Sequence, residues 1–169
     1  MSVKLISHST APQGSELDNV QDLIAYCAKV SNPNNQINKE TSEKLIKFLI
    51  KHNHWSPLEM VSLCLEIETT RDIAHQIVRH RSFAFQEFSQ RYANPEEMGD
   101  QFVTRECRLQ DTKNRQNSID TENLELIVSW DEKQQEVIDK AKEVYDWAIE
   151  NGIAKEQARV VLPEGCTKT

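Results

Sequence analysis

Glycine is scarce in this chain, with four in 169 residues. None of them builds a G-x-G-x-x-G turn or the G-x-x-x-x-G-K-[S/T] loop that wraps phosphates, so a dinucleotide held on a Rossmann turn is excluded. Proline is nearly as rare, at five. With 28% charged and 38% hydrophobic residues, that excludes a collagen-like or disordered chain and points to a helix-rich globular one. No apolar run approaches the roughly 18 residues that cross a bilayer. The opening MSVKLISHSTAPQGSE has no apolar signal core, so export is not expected and a cytoplasmic location is. The four cysteines (Cys27, Cys64, Cys107, Cys166) form no C-x-x-C pair, which argues against disulfides and zinc. Positive charge is also in deficit: the net charge is −7, unlike a general nucleic-acid binder. There is no internal repeat and no low-complexity tract. The length suits one domain, taken as residues 1–169.

What is present is periodicity. Between Glu16 and Val30, Val20, Leu23, Ile24 and Cys27 recur at helical spacing, and a second helix is expected from Lys39 to His52 around Leu45, Ile46, Leu49 and Ile50. Ser56-Pro57-Leu58-Glu59 has the form of a capping box opening a short turn. Val61, Leu63, Leu65 and Ile67 then alternate with polar residues, which predicts a half-buried strand. Thr70 is placed to cap a helix with Ile73, Ala74, Ile77 and Val78 inward. Weak strand character runs from Gln101 to Leu109, a polar connector from Asp111 to Asn123, and another short strand is expected over Leu124–Val128. Ser129 and Glu132 resemble a second capping box. The long helix after it carries Val137, Ile138, Ala141, Val144, Tyr145, Ala148 and Ile149 inward and stops at Asn151-Gly152, before a last short helix from Lys155 to Val161.

The stretch RHRSFAFQEFSQRY, Arg79 to Tyr92, fits neither a solvated charge run nor a core. Three consecutive residues fan over roughly 200° of a helix, so Arg79, His80 and Arg81 cannot share one face. Cations compensating a helix C-terminus are the plain alternative. Gln76 lies one turn earlier, and in an extended segment Glu87, Ser89 and Arg91 would share one side. Phe83, Phe85 and Phe88 offer apolar walls. Cations for phosphate, a carboxylate and hydroxyl for polar edges, and flat apolar surface suit a nucleotide-like ligand. A metal at His52-Asn53-His54 lacks supporting ligands. A serine hydrolase built on Ser89 and His80 lacks its G-x-S-x-G elbow.

Arg79-His80-Arg81, seven residues, then Ser89 resembles the R-H-R-x7-S signature of the flavin-dependent thymidylate synthases. The resemblance extends to Gln76 before the signature and to Glu87, Arg91 and Tyr92 within or after it. His52-Asn53-His54-Trp55-Ser56-Pro57-Leu58-Glu59 is similar to that family's H-x-H-x-[ST]-P-x-E segment, and Glu156 to Pro163 to its E-x-A-R-x-V-L-P segment. The three motifs span more than a hundred residues in the family's order.

The resemblance implies an α/β (α+β) fold, with helices around a small, mostly antiparallel sheet, of the thymidylate synthase-complementing type. It implies reductive methylation of dUMP to dTMP, with methylenetetrahydrofolate as carbon donor and NADPH as reductant through FAD. It also implies a homotetramer with sites shared between subunits. By motif, Arg79, His80 and Arg81 would contact the flavin with Ser56, Glu87 and His54. Gln76, Arg79, Glu87, Phe88, Ser89, Gln90, Arg91 and Arg159 would hold dUMP, with Ser89 as a binding hydroxyl. No metal, nucleic acid or membrane partner is implied. Family members continue past the A-R-x-V-L-P segment into helices that carry asparagine contacts to the flavin and a catalytic arginine. The chain is therefore expected to be a C-terminally truncated version of such an enzyme, binding dUMP poorly and turning over little. The competing class is a non-catalytic nucleotide- or nucleic-acid-binding module built on the same basic, aromatic loop.

Overall fold

Near the N-terminus Val3 and Leu5 alternate with Ser2 and Lys4, and this pattern forms strand β1 (Ser2–His8). In the computed structural model, which describes residues 1–93, 99 and 101–169, β1 pairs with β2 (Leu63–Glu68). The Ser9 N–H donates to the Ser62 carbonyl at 2.8 Å and Lys4 faces Glu66 at 3.8 Å, so the two strands run in opposite directions. Two compact units result: Ser2–Ile67, and Glu68–Thr169 together with Met1. The alternation in β2 predicts a half-buried strand, yet Leu63, Leu65 and Ile67 are 63%, 44% and 37% exposed. Among the described residues no helix of its unit packs on this ribbon. Period two reports a strand, not the layer that would cover it.

The rest of the first unit is a helix pair. Helix α1 (Val20–Ala28) starts at Asn19, whose side chain accepts from the Asp22 N–H at 3.0 Å. The buried Lys29 at its end donates from Nζ to the Asn38 carbonyl at 2.5 Å and to the Thr41 hydroxyl at 3.0 Å, tying α1 to the start of α2 (Ser42–Lys51). Two oxygen partners offset the cost of taking an ammonium out of water. Along α2 Leu49 is buried, whereas Ile50, expected on the buried stripe, is 48% exposed.

Just past the end of α2, Asn53 has φ +57°, and the His54 N–H reaches back to the Leu49 carbonyl at 2.9 Å. This is a left-handed helix terminator, a position that asparagine tolerates better than branched or alanine side chains. Asn53→Ala is expected to destabilise the protein by about 1 kcal/mol, and Asn53→Gly to cost nothing or stabilise slightly. A lowered urea midpoint for alanine alone is the expected result. Equal midpoints for both variants would refute this account of the turn.

The second unit is organised by α4 (Leu124–Glu150), 27 residues long. Two expectations fail here. Leu124–Val128 is helix rather than strand, and Ser129–Glu132 is not a capping box, because Asn123 already caps the helix by accepting from the Leu126 N–H at 3.1 Å. Helical spacing over that first stretch is useful to the fold: Trp130 and Gln134, one turn apart, both hold the peptide of Arg105. The Trp130 indole N–H and the Gln134 amide donate to the Arg105 carbonyl at 3.1 and 3.0 Å, and the Arg105 N–H donates to Gln134 Oε1 at 2.7 Å. Ile138, Ala141, Tyr145 and Ala148 form the buried stripe, whereas Val137 is 55% exposed. Tyr145 and Ala148 pack with Ala158 and Leu162, flanked by Phe102 and Ile149. The helix expected over 155–161 splits into α5 (Lys155–Ala158) and a 3-10 turn (Arg159–Val161).

The final residues lie between two other segments of this unit. Thr69 and Thr169 exchange backbone hydrogen bonds of 3.2 and 2.8 Å, and the Arg71 N–H donates to the Thr167 carbonyl at 3.0 Å; on the other side the Val103 N–H donates to the Cys166 carbonyl at 2.9 Å and the Lys168 N–H to the Gln101 carbonyl at 2.8 Å. Thr70 and Thr167 are fully buried there. The expected strand at 101–109 and polar connector at 111–123 resolve into a hairpin, β3 (Arg108–Gln110) against β4 (Ser118–Asp120), antiparallel with Leu109 opposite Ile119. Asp111 shapes its turn by accepting from the Lys113 and Asn114 N–H groups and from the Asn117 amide. Those hydrogen bonds hold its carboxyl below the usual carboxylate value.

Candidate functional site

The basic cluster is placed by α3 (Arg71–Ile77), which is pinned at its first turn. Thr70 precedes it in extended conformation, but its hydroxyl does not cap the helix as expected. It donates instead to Asp72 Oδ1 at 2.5 Å and accepts from Arg105 Nη2 at 2.5 Å. The same guanidinium donates to both Asp72 oxygens at 2.8 and 3.0 Å, and through Nε to the Gly165 carbonyl at 3.1 Å. One arginine thus ties α3 to the C-terminal segment and, through its clasped peptide, to α4. Burial pushes the Asp72 carboxyl up, but the Thr70 hydrogen bond and the Arg105 charge outweigh it, leaving the carboxyl below its ordinary value.

At the other end α3 stops at Ile77, and two turn hydrogen bonds carry the chain out: Arg79 N–H to the Gln76 carbonyl at 3.3 Å and His80 N–H to the Ile77 carbonyl at 3.0 Å. Gln76, Arg79, His80 and Arg81 are all exposed. His80 stacks flat on Phe83, with centroids 4.1 Å apart and planes at 11°, and Phe85 meets Phe83 edge-on at 6.2 Å. Among the described residues neither Arg79 nor Arg81 has an acidic partner within 4 Å. Two guanidiniums without acidic partners among the described residues, close in sequence to a stacked ring pair, suit a planar, anionic ligand.

The chain turns over residues 90–92, so Arg91 is not brought by alternation to the side expected to be shared with Glu87 and Ser89. The Tyr92 and Ala93 N–H groups both fold back to the Ser89 carbonyl at 3.1 Å. Glu87 faces Arg71 of α3, with Oε1 3.7 Å from Nη1. Phe88 and Ser89 are half-buried, and Gln90 is 2% exposed with its side-chain Nε2 unbonded among the described residues. Arg91 reaches the short α5 helix, where Nη2 donates to Glu156 Oε2 at 2.9 Å, while Lys155 Nζ donates to the Tyr92 carbonyl at 3.2 Å. Arg159 bonds back to the Glu156 carbonyl through Nε at 3.4 Å. Glu156 thereby links two arginines that lie 68 positions apart.

His54 and Ser56 belong to the first unit, and both are exposed. His54 and His52 lie against Phe48, with centroids 6.1 and 4.2 Å away. Ser56 makes no capping hydrogen bond, so the capping box expected at 56–59 is absent. The 3-10 turn Leu58–Met60 closes instead on the Trp55 carbonyl, to which the Leu58 N–H donates at 2.9 Å. Arg71, Arg105 and Glu156 are the residues that sequence reasoning passed over. Glu156 is visible inside the E-x-A-R segment. Arg105 has no local signal, because its partners Asp72 and Gly165 are 33 and 60 positions away.

A family model described as thymidylate synthase complementing protein matches residues 13–169. A probable flavin-dependent thymidylate synthase of Paramecium bursaria Chlorella virus 1 is 48% identical over 96% of this chain and 74% of its own length. A flavin-dependent thymidylate synthase of Synechocystis sp. is 48% identical over 85% of this chain, which spans 64% of that relative; the chain spans 58% of a 33% identical one from Kosmotoga olearia. In fold, the chain is similar to the UMP/dUMP methylase PolB from Streptomyces cacaoi bound with 5-Br UMP. The TM-score is 0.77 at 22% identity, covering 99% of this chain and 67% of that one. With small antiparallel sheets among its helices, three ordered motifs and a family match over nearly its whole length, the chain belongs to the thymidylate synthase complementing family.

Proposed function

We propose that this chain serves flavin-dependent thymidylate synthesis, the reductive methylation of dUMP to dTMP, as one functional domain. The observation that carries the reading is the exposed Arg79-His80-Arg81 turn, whose two arginines have no acidic partner among the described residues of a chain with net charge −7. A family match and relatives named flavin-dependent thymidylate synthase support it.

In this reading Arg79, His80 and Arg81 hold FAD, assisted by Glu87, His54 and Ser56. The two guanidiniums take its phosphates, and the His80–Phe83 stack offers a flat surface to its ring system. A bound FAD would supply the redox chemistry of the reaction, with NADPH as reductant and methylenetetrahydrofolate as carbon donor. Arg91 and Arg159 bind the dUMP phosphate through charge-assisted hydrogen bonds. Gln76, Ser89 and Gln90 offer amide and hydroxyl groups to the uracil and sugar, beside the Phe88 ring. Cations around the site also stabilise negative charge that develops on the reacting groups. No described helix is long and apolar enough to cross a membrane; a cytoplasmic location belongs to the same proposal. We assign the assembly as a homotetramer by family membership.

The test is uptake of FAD, read as yellow colour and flavin absorbance in fixed stoichiometry, together with dUMP binding by calorimetry and NADPH oxidation. Flavin bound at about one per chain, with measurable dUMP binding, is the expected result. Protein that takes up neither, but binds single-stranded nucleic acid with a steep salt dependence, would be a binding module instead.

A further inference from the structure

Arg71 is an unusual first residue for a helix. It opens α3, where the helix dipole disfavours a cation, although the Arg71 and Asp72 N–H groups are taken up by the Thr167 and Glu164 carbonyls. Its side chain is only 12% exposed, and its Nη1 is buried without a hydrogen bond among the described residues. Desolvating a guanidinium is unfavourable. A nearby anion must offset it.

That anion is Glu87. Its Oε1 stands 3.7 Å from Nη1, too far for a hydrogen bond but close enough for charge attraction. Glu87 has little else to hold it. Residues 84–89 form no helix, strand or turn, and among the described residues the backbone N–H groups from Phe83 to Arg91 donate no hydrogen bond. The contact from α3 is the one ion pair of Glu87 among the described residues.

We infer that Arg71 is a positioning residue for the dUMP and flavin site: its charge fixes the Glu87 carboxylate, and with it the approach to Ser89 and Gln90. This rests on the function proposed above, because it is the nucleotide site that Glu87 is placed to serve. The pair is coulombic rather than bidentate, so charge matters more than fork geometry. Lysine should therefore serve in place of arginine, which would not hold at a site that reads a guanidinium by its shape.

The experiment is a double-mutant cycle read by dUMP calorimetry and flavin titration, with Arg71→Met, Glu87→Gln, the double variant and Arg71→Lys. Arg71→Met should weaken dUMP about tenfold, the size of one lost charged contact. In the Glu87→Gln background the same change should have almost no further effect, since interacting residues are non-additive. Arg71→Lys should recover most of the affinity. Thermal midpoints of all four variants separate a general loss of fold, which would depress ligand-independent stability in both backgrounds alike. Additive effects of the two substitutions, or undiminished dUMP binding by Arg71→Met, overturn the inference while leaving the enzyme reading intact. Wild-type protein that binds neither dUMP nor flavin overturns the functional reading first.

Discussion

Replacing Arg91 with alanine is expected to raise the dUMP dissociation constant about a hundredfold at low salt, the upper range for losing hydrogen bonds to a charged group. The reason is placement. Arg91 leaves a turn closed on the Ser89 carbonyl and is held by Glu156 at 2.9 Å, on the helix that leads into Arg159. Two guanidiniums organised around one short helix can share a phosphate, each offering a planar fork of donors. The Arg91 side chain is 54% exposed, so screening matters, and the penalty should shrink several-fold near physiological ionic strength. Arg91→Lys should fall between wild type and alanine, since it keeps the charge and loses the fork. Calorimetric titration at two salt concentrations reads all of this. An alanine variant that binds dUMP as wild type does would remove Arg91 from the phosphate site.

The second large effect is on stability. Arg105→Ala removes four side-chain hydrogen bonds at once, to Thr70, to both oxygens of Asp72 and to Gly165. Breaking a fully buried charge pair costs about 3–5 kcal/mol. The partners here are 35% and 42% exposed, so solvent screening lowers the expected loss to about 2–3 kcal/mol. That corresponds to a fall in the thermal midpoint of roughly 5–10 °C for a domain of this size. The pH dependence has a definite sign. The Asp72 carboxyl is held below its ordinary value in the folded state, so its contribution is present above the unfolded value of about 3.9 and is lost as pH falls through the folded value. Wild-type protein should therefore lose stability more steeply below about pH 4 than Arg105→Ala does. Thermal melts from pH 7 to pH 2 test both statements. Parallel curves for the two proteins would show that Asp72 and Arg105 are not coupled.

Much of the local structure was legible without coordinates. Asn151-Gly152 stops α4 where expected, and Gly152 has φ +76°, because few other residues tolerate that conformation. The spacing of Ile138, Ala141, Tyr145 and Ala148 marked the buried side of α4, since a helix must present one stripe to its core. The Arg79–Tyr92 motif was legible because cations and aromatics rarely mix without a ligand to account for them. The start of α4 was misread. Leu124 to Val128 is apolar enough for either period, and the deciding contact, the Arg105 peptide held by Trp130 and Gln134, comes from residues 25 and 29 positions away.

The sequence by itself determined the family, the chemistry of the site residues and most helix ends, because those depend on side-chain type and on spacings within a few turns. Only the tertiary structure decided that Glu87 faces Arg71, that Arg91 reaches Glu156, and that Arg105 fastens α3 to the last residues of the chain. Those pairings are long-range electrostatic choices. A charge selects its partner by distance and desolvation in the folded chain, and neither quantity exists until the backbone has closed.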